Sequence, residues 1–578
     1  MREKNLATLF QNRVYRFGGR PALIYKRGGA WTELTFEQVA IAVEETGRGL
    51  LALGVGSGER VGIFADNRPE WLYLDLAIQS IGAVSVPIYA GSSEGQSEFI
   101  LRHSGAKIVA VGGEEPEKHL LSIHARTPFR KIIFLDETVH EDDSSLASFA
   151  SLREQGRSGK ATAFYDRLEK VGADDLSTLL YTSGNEGDPK GVVLTHGNIL
   201  ANALGAASVF PIGEEDRSLS FLPLSHAFAR TAGVFAPWSL GCAIALTESV
   251  SKLPEDLLEV KPTVLLTVPG VLERFYRKVR EEIAHRNRLV RWLFKIAIQR
   301  RARGLAGALF ESLFYRAIRE RFGGKLRHLV SGGAALNPRV ADFFDTIGIG
   351  ILEGYGLTEV SPIVSVNLPG NRRKGTVGRP IPSVEIRIAE DREVLVKGPG
   401  VMKEYFGDPE ATRAMIGSDG YLRTGDIGTL DSHGFLTLID RKKEILVTSR
   451  GKNIPPQVVE NQLRSHSLIE QACAIGDGRE YLAALIVPNF VLLAELAKRH
   501  RIRTGDREAL VRDPTIRGWF SSIVERVNSG LARDETVQRF ELLTDPFTIE
   551  NGELTLTLKL RRNVILKRYA AIVGRIYL

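Results

Sequence analysis

Tyr181-Thr-Ser-Gly-Asn-Glu-Gly-Asp-Pro-Lys-Gly191 is a short, polar, glycine-rich loop held between apolar Leu179-Leu180 and Val192-Val193-Leu194. Glycines let a backbone approach a ligand closely, and loop amides beside a lysine form a nest for phosphate oxygens. Asp188 and Pro189 separate Gly187 from Lys190, so the G-x-x-x-x-G-K-[ST] spacing of a P-loop kinase or ATPase fails. The stretch is therefore a phosphate loop of another kind or an ordinary glycine-rich turn.

The chain on either side favours the ligand reading. Val61-Gly-Ile-Phe64, Val84-Ser-Val-Pro-Ile88, Ile108-Val-Ala-Val111 and Lys131-Ile-Ile-Phe-Leu135 read as buried strands. Between the first two, Glu70 to Ile78 reads as a helix. Such alternation predicts α/β layers with ligand loops at strand ends.

Three segments follow the loop in order: Glu353-Gly-Tyr-Gly-Leu-Thr-Glu359, Tyr421-Leu-Arg-Thr-Gly-Asp426 and Asp440-Arg-Lys-Lys-Glu444. Together they resemble the adenylate-forming, AMP-binding superfamily. Phe221-Leu-Pro-Leu-Ser-His-Ala-Phe-Ala-Arg230, Ser331-Gly-Gly-Ala-Ala335 and Leu554 to Arg562 point to its bacterial long-chain fatty acyl-CoA synthetases. The resemblance runs from about Thr35 to the C-terminus. It implies a large multi-layer N-terminal domain (1–440) that binds AMP and the acyl group, and a small mobile α/β lid (441–578). The implied activity joins a long-chain fatty acid to CoA through an acyl adenylate, with ATP and Mg²⁺. A carrier-protein or aryl-acid ligase, or a homologue that binds without turnover, remains an alternative.

The resemblance also assigns residues. Thr182, Ser183, Gly184, Asn185, Gly187 and Lys190 would hold the triphosphate. Gly333, Ala334, Glu353, Gly354, Tyr355 and Gly356 would form the adenine wall. Thr358 would touch phosphate and Glu359 would hold Mg²⁺, a hard ion that favours carboxylate and phosphate oxygens. Asp426 would take the ribose hydroxyls with Arg441 beside it, and Lys443 would be the hinge. Lys559 would act on the α-phosphate, Gly451 and Lys452 would face CoA, and His226, Arg230 and Gly332 would line the acyl site. Relatives usually carry Thr-Thr where this chain has Asn185-Glu186, an acid beside an anionic ligand.

Composition sets the frame. The 578 residues are 43% hydrophobic and 25% charged, as in a globular protein of more than one domain. Apolar runs are too short for a membrane span, and the two cysteines, Cys242 and Cys473, suggest neither a disulfide framework nor a metal site. A cytoplasmic location is the natural expectation. A net charge of +7 suits anionic partners, and nothing in the pattern indicates nucleic acid. The basic helical segment, about 274–322, carries arginines and lysines around Leu289, Trp292, Leu293, Phe294 and Ile296. It reads either as a face peripheral to an anionic membrane or as a solvated basic surface.

Overall fold

The computed structural model describes residues 3–136, 143–182, 189–300, 310–368, 370–442, 444–449, 452–502, 505–548, 551–555 and 559–578. The four expected strands form as Arg60–Ala65, Val84–Ile88, Ile108–Gly112 and Lys131–Phe134, and the expected helix as Pro69–Ser80. They belong to an eight-stranded sheet. Its parallel centre is buried on both sides, which explains why the strands read as continuous apolar runs. The glycine-rich loop joins two antiparallel strands of this sheet, Leu176–Thr182 and Lys190–Thr195.

A second, nine-stranded sheet has Arg217–Ser220, Val264–Thr267, His328–Ser331 and Gly350–Gly356 as parallel neighbours. The carboxyl ends of these strands carry the loops that resemble binding motifs, where α/β folds place ligands. A four-stranded antiparallel sheet follows and ends in Leu436–Arg441. Beyond it, Ile469–Ile475, Leu482–Pro488 and Val537–Leu542 form a small sheet backed by helices, with a separate apolar core.

This C-terminal unit docks on the rest through specific pairs. Arg464 pairs with Glu273, and Arg277 lies 2.9 Å from Glu470. Arg339 donates to the Ser465 carbonyl at 3.1 Å. The Gln457 amide donates to Asp440 Oδ2 at 3.2 Å, so the last strand's acid caps the first turn of helix Pro456–Arg464. Burial raises the Asp440 carboxyl to about 6.

The basic segment forms helices Pro269–Ala284 and Arg288–Arg300, followed after an undescribed stretch by a π turn, Glu311–Tyr315, and helix Arg316–Glu320. Phe294 and Ala297 face the core, Phe294 against Phe314 with ring centroids 5.5 Å apart. Leu289 and Trp292, on the opposite face, are 63% and 58% exposed.

Candidate active site

A cavity of about 1690 Å³ opens where the strand ends of the large sheets meet the C-terminal unit. At one end Arg441 lines the cavity, and Asp426, its register partner on the antiparallel strand, lies behind it with Arg441 Nε 3.3 Å from Asp426 Oδ1. The Tyr355 hydroxyl donates to Asp426 Oδ2 at 2.6 Å. Burial, then the Asp426 carboxylate, raises the phenol well above its ordinary range, so it stays a donor. Each carboxylate oxygen has two lone pairs, so this acid can still accept from a ligand. Gly425 has φ +70°, a left-handed turn suited to glycine, which sets Asp426 beneath Thr424 Oγ1.

Across the cavity, Thr358 and Glu359 occupy a short 3₁₀ turn directly after strand Gly350–Gly356. Glu359 Oε1 accepts the Tyr405 hydroxyl at 2.9 Å. Lys190 lies 5.0 Å from the centre of the same tyrosine ring and 3.4 Å from Asp408 Oδ2. Tyr405 thus links the lysine and the acid. Among the described residues no cluster of three or more histidines, cysteines and acids could cage a metal. Glu359 fits Mg²⁺ carried in on a triphosphate, since that ion uses few protein carboxylates beside phosphate and water.

His226 caps the short helix Ala227–Arg230, its Nδ1 accepting the Phe228 amide at 3.2 Å. The ring proton of the neutral imidazole is therefore on Nε2. Burial, and secondarily the Lys559 cation, push this histidine down to about 4. It is neutral across the physiological range. Phe228 lies over Gly332, where an added Cβ would come within 2.8 Å of the ring. Gly333 and Ala334 continue this wall, and Gly354 and Gly356 line it beyond Tyr355.

Lys559 enters the same cavity from the C-terminal unit. Its carbonyl accepts the Thr555 amide at 2.8 Å and its amide donates to Thr555 Oγ1 at 3.0 Å. Arg562 roots this segment: it is buried and pairs with Glu460 at 2.8 Å. In sequence, Arg562 reads only as basic surface. Burial lowers the Lys559 ammonium to about 8, Arg441 adding to the effect and Asp426 opposing it.

Several expected residues lie off the cavity wall, Asp426 among them, one contact behind Tyr355 and Arg441. Arg230 does not line the cavity. It is buried in the core, forked onto Asp75 at 2.8 and 2.9 Å, with Thr178 Oγ1 at 3.0 Å. Its placement on the acyl wall is therefore corrected: a guanidinium beside a buried carboxylate is held by that partner. Glu353 is likewise absent from the cavity lining. Burial raises its carboxyl to about 7, with the Leu336 backbone opposing that shift. Lys452 is exposed, 3.9 Å from Asp534, and also outside the cavity. Thr182 lines the cavity, whereas Ser183, Gly184, Asn185, Glu186, Gly187, Lys443 and Gly451 lie outside the described residues. Tyr405 and Asp408 are not legible as site residues in the sequence, because nothing in Glu404-Tyr-Phe-Gly-Asp408 signals that it crosses to Lys190 and Glu359.

Residues 10–406 match the family described as AMP-binding enzyme, and residues 443–578 match the AMP-binding enzyme C-terminal domain. The chain belongs to the AMP-binding enzyme family. It is 34% identical to "Long-chain-fatty-acid--CoA ligase FadD15" of Mycobacterium tuberculosis over 96% of this chain and 94% of that protein. It is 30% identical to the peroxisomal "Long chain acyl-CoA synthetase 7" of Arabidopsis thaliana, over 95% and 82%. Among solved structures it resembles the anthranilate CoA ligase AuaEII in complex with anthranoyl-AMP, with a TM-score of 0.76, 21% identity and coverage of 99% and 98%. A Mycobacterium tuberculosis fatty acyl CoA synthetase gives 0.65 and 23%, covering 98% and 99%. The architecture is the adenylate-forming enzyme fold.

Proposed function

We propose that this protein is an ATP-dependent long-chain fatty acid:CoA ligase. The observation that carries this reading is the convergence of Lys559, Arg441, Tyr355, His226 and Glu359 on one cavity, Lys559 arriving from the C-terminal unit and Asp426 lying behind Arg441 and Tyr355. A carboxylate is a poor acyl donor because oxide is a poor leaving group. In the first half-reaction its oxygen attacks the α-phosphorus of ATP and pyrophosphate departs. Lys559 and Arg441 neutralise charge that grows at the α-phosphate, and His226 offers its Nε2 proton to an oxygen of the acid or phosphate. Asp426 holds the ribose and Tyr355 packs against adenine. Bound Mg²⁺ at Glu359 would screen the triphosphate.

In the second half-reaction the CoA thiolate attacks the acyl carbon and AMP leaves. Rotation of the lid about Lys443 would withdraw Lys559 and bring the Gly451-Lys452 loop to the thiol. The exposure of Lys452 away from the cavity in the present arrangement accords with that cycle.

The test is AMP release from ATP and Mg²⁺ with acids from acetate to palmitate, with CoA or a holo-carrier protein as acceptor. Palmitate-dependent release that turns over with CoA is expected. Turnover on the carrier protein alone would replace the CoA reading, and ATP binding without AMP from any acid would overturn catalysis.

A cytoplasmic site with peripheral membrane contact accompanies this function. No described helix is long and apolar enough to cross a membrane. Leu289 and Trp292 project between exposed Arg286, Arg288, Arg291 and Lys295, and the sequence has no acid from Ile283 to Phe310. Such a face suits the headgroup region of an anionic bilayer. The protein should sediment with phosphatidylglycerol vesicles, less so as salt rises. The double variant Leu289→Ser/Trp292→Ser should bind about tenfold more weakly, from lost apolar burial. Equal binding by the double variant would rule this face out.

A further inference from the structure

A second cavity, far smaller at about 10 Å³, lies behind the first. Its lining is almost wholly apolar, and Phe210 and Val330 border both spaces. Side chains on one face of a strand recur every second residue. Along strand His328–Ser331 and just beyond, Gly332 and Val330 face the active-site cavity, while Val330 and His328 face the second. On the neighbouring strand Leu266 and Val264 continue the same row. The two cavities therefore lie end to end along one face of the nine-stranded sheet. From Gly332 to His328 this path covers about 13 Å at the rise of a strand.

Phe210 is the interruption. It is buried on the turn after helix His196–Ala207, its amide donating to the Ala206 carbonyl at 3.0 Å. It is thus held by a turn rather than by a strand of the sheet it covers. We propose that the Phe210 ring limits the acyl chain length this enzyme accepts. It closes the distal end of the acyl slot against an apolar extension that runs toward His328. This inference rests on the ligase reading and adds to it a residue that sets specificity.

The experiment measures kcat/KM for acid-dependent AMP formation with laurate, palmitate and arachidate. Phe210→Ala should merge the two spaces and raise the arachidate-to-laurate ratio on the order of tenfold or more, the scale on which apolar pockets discriminate chain atoms. Ala232 lines only the second cavity. Adding Ala232→Phe to Phe210→Ala should refill the extension and return the ratio toward the parent value. Should Phe210→Ala fail to fold, Phe210→Leu carries the same prediction with a smaller shift.

An unchanged ratio in a folded, active Phe210 variant would overturn the proposal. So would a shift that Ala232→Phe does not reverse, because the extension would then not hold the chain. Absence of acid-dependent AMP from the parent protein would instead sink the ligase reading.

Discussion

Lys559→Ala is expected to lower acyl-adenylate formation roughly 100- to 1000-fold, the usual cost of removing one preorganised group from a developing charge. Thioester formation from supplied acyl-AMP should be nearly unaffected. The asymmetry follows from position. Lys559 reaches the cavity from the C-terminal unit, on the segment rooted by Arg562 on Glu460. On the proposed cycle, movement of that unit would remove it from the reacting centre, so the second half-reaction should not use it. Equal loss of both half-reactions would refute the two-arrangement cycle.

The same lysine gives the adenylation step a pH signature. Burial, with Arg441 beside it, holds the ammonium at about 8. On the proposed role the charged form would stabilise the phosphate, so activity should require pH below that value. For the free enzyme, kcat/KM for ATP in adenylation should be level near pH 7 and fall above about 8. His226, already neutral above about 4, contributes nothing to that fall. Lys559→Arg keeps its charge and should lose the alkaline limb, whatever its rate.

What the sequence reveals and hides follows from how far apart the cooperating residues lie. Tyr355, Thr358, Glu359 and Asp426 sit in short runs whose glycines and hydroxyls have little purpose in a plain core. The buried strands are legible because parallel strands covered on both faces must be apolar throughout. Tyr405, Phe210 and Arg562 are different. Each is an unremarkable residue locally and gains its place from a partner far along the chain: Glu359 for Tyr405, Val330 for Phe210, Glu460 for Arg562. Periodicity reports a face, not the identity of what it meets. Glu353 shows the limit inside a motif, since it lies off the cavity wall while Gly354 and Tyr355 line it.

Arg230 tests that limit most sharply. Four residues from His226, it invites assignment to the same wall, yet its guanidinium is locked on Asp75, a residue of the buried helix Pro69–Ser80. Both side chains are only 2% exposed. Trp71 and Phe235 rings lie 5.7 and 6.0 Å from the guanidinium carbon. Arg230→Met should therefore destabilise the protein by about 3–5 kcal/mol, because the Asp75 carboxylate is left in the core without a cation. The pair itself need not be worth that much, since its desolvation opposes its attraction. Adding Asp75→Asn should recover much of the loss by removing the stranded charge. The urea midpoint of the three variants reads both effects, with palmitate KM measured alongside. A lower midpoint restored in the double variant, at near-parent KM, would establish a structural pair. A raised KM at an unchanged midpoint would return Arg230 to the acyl wall and contradict the buried geometry.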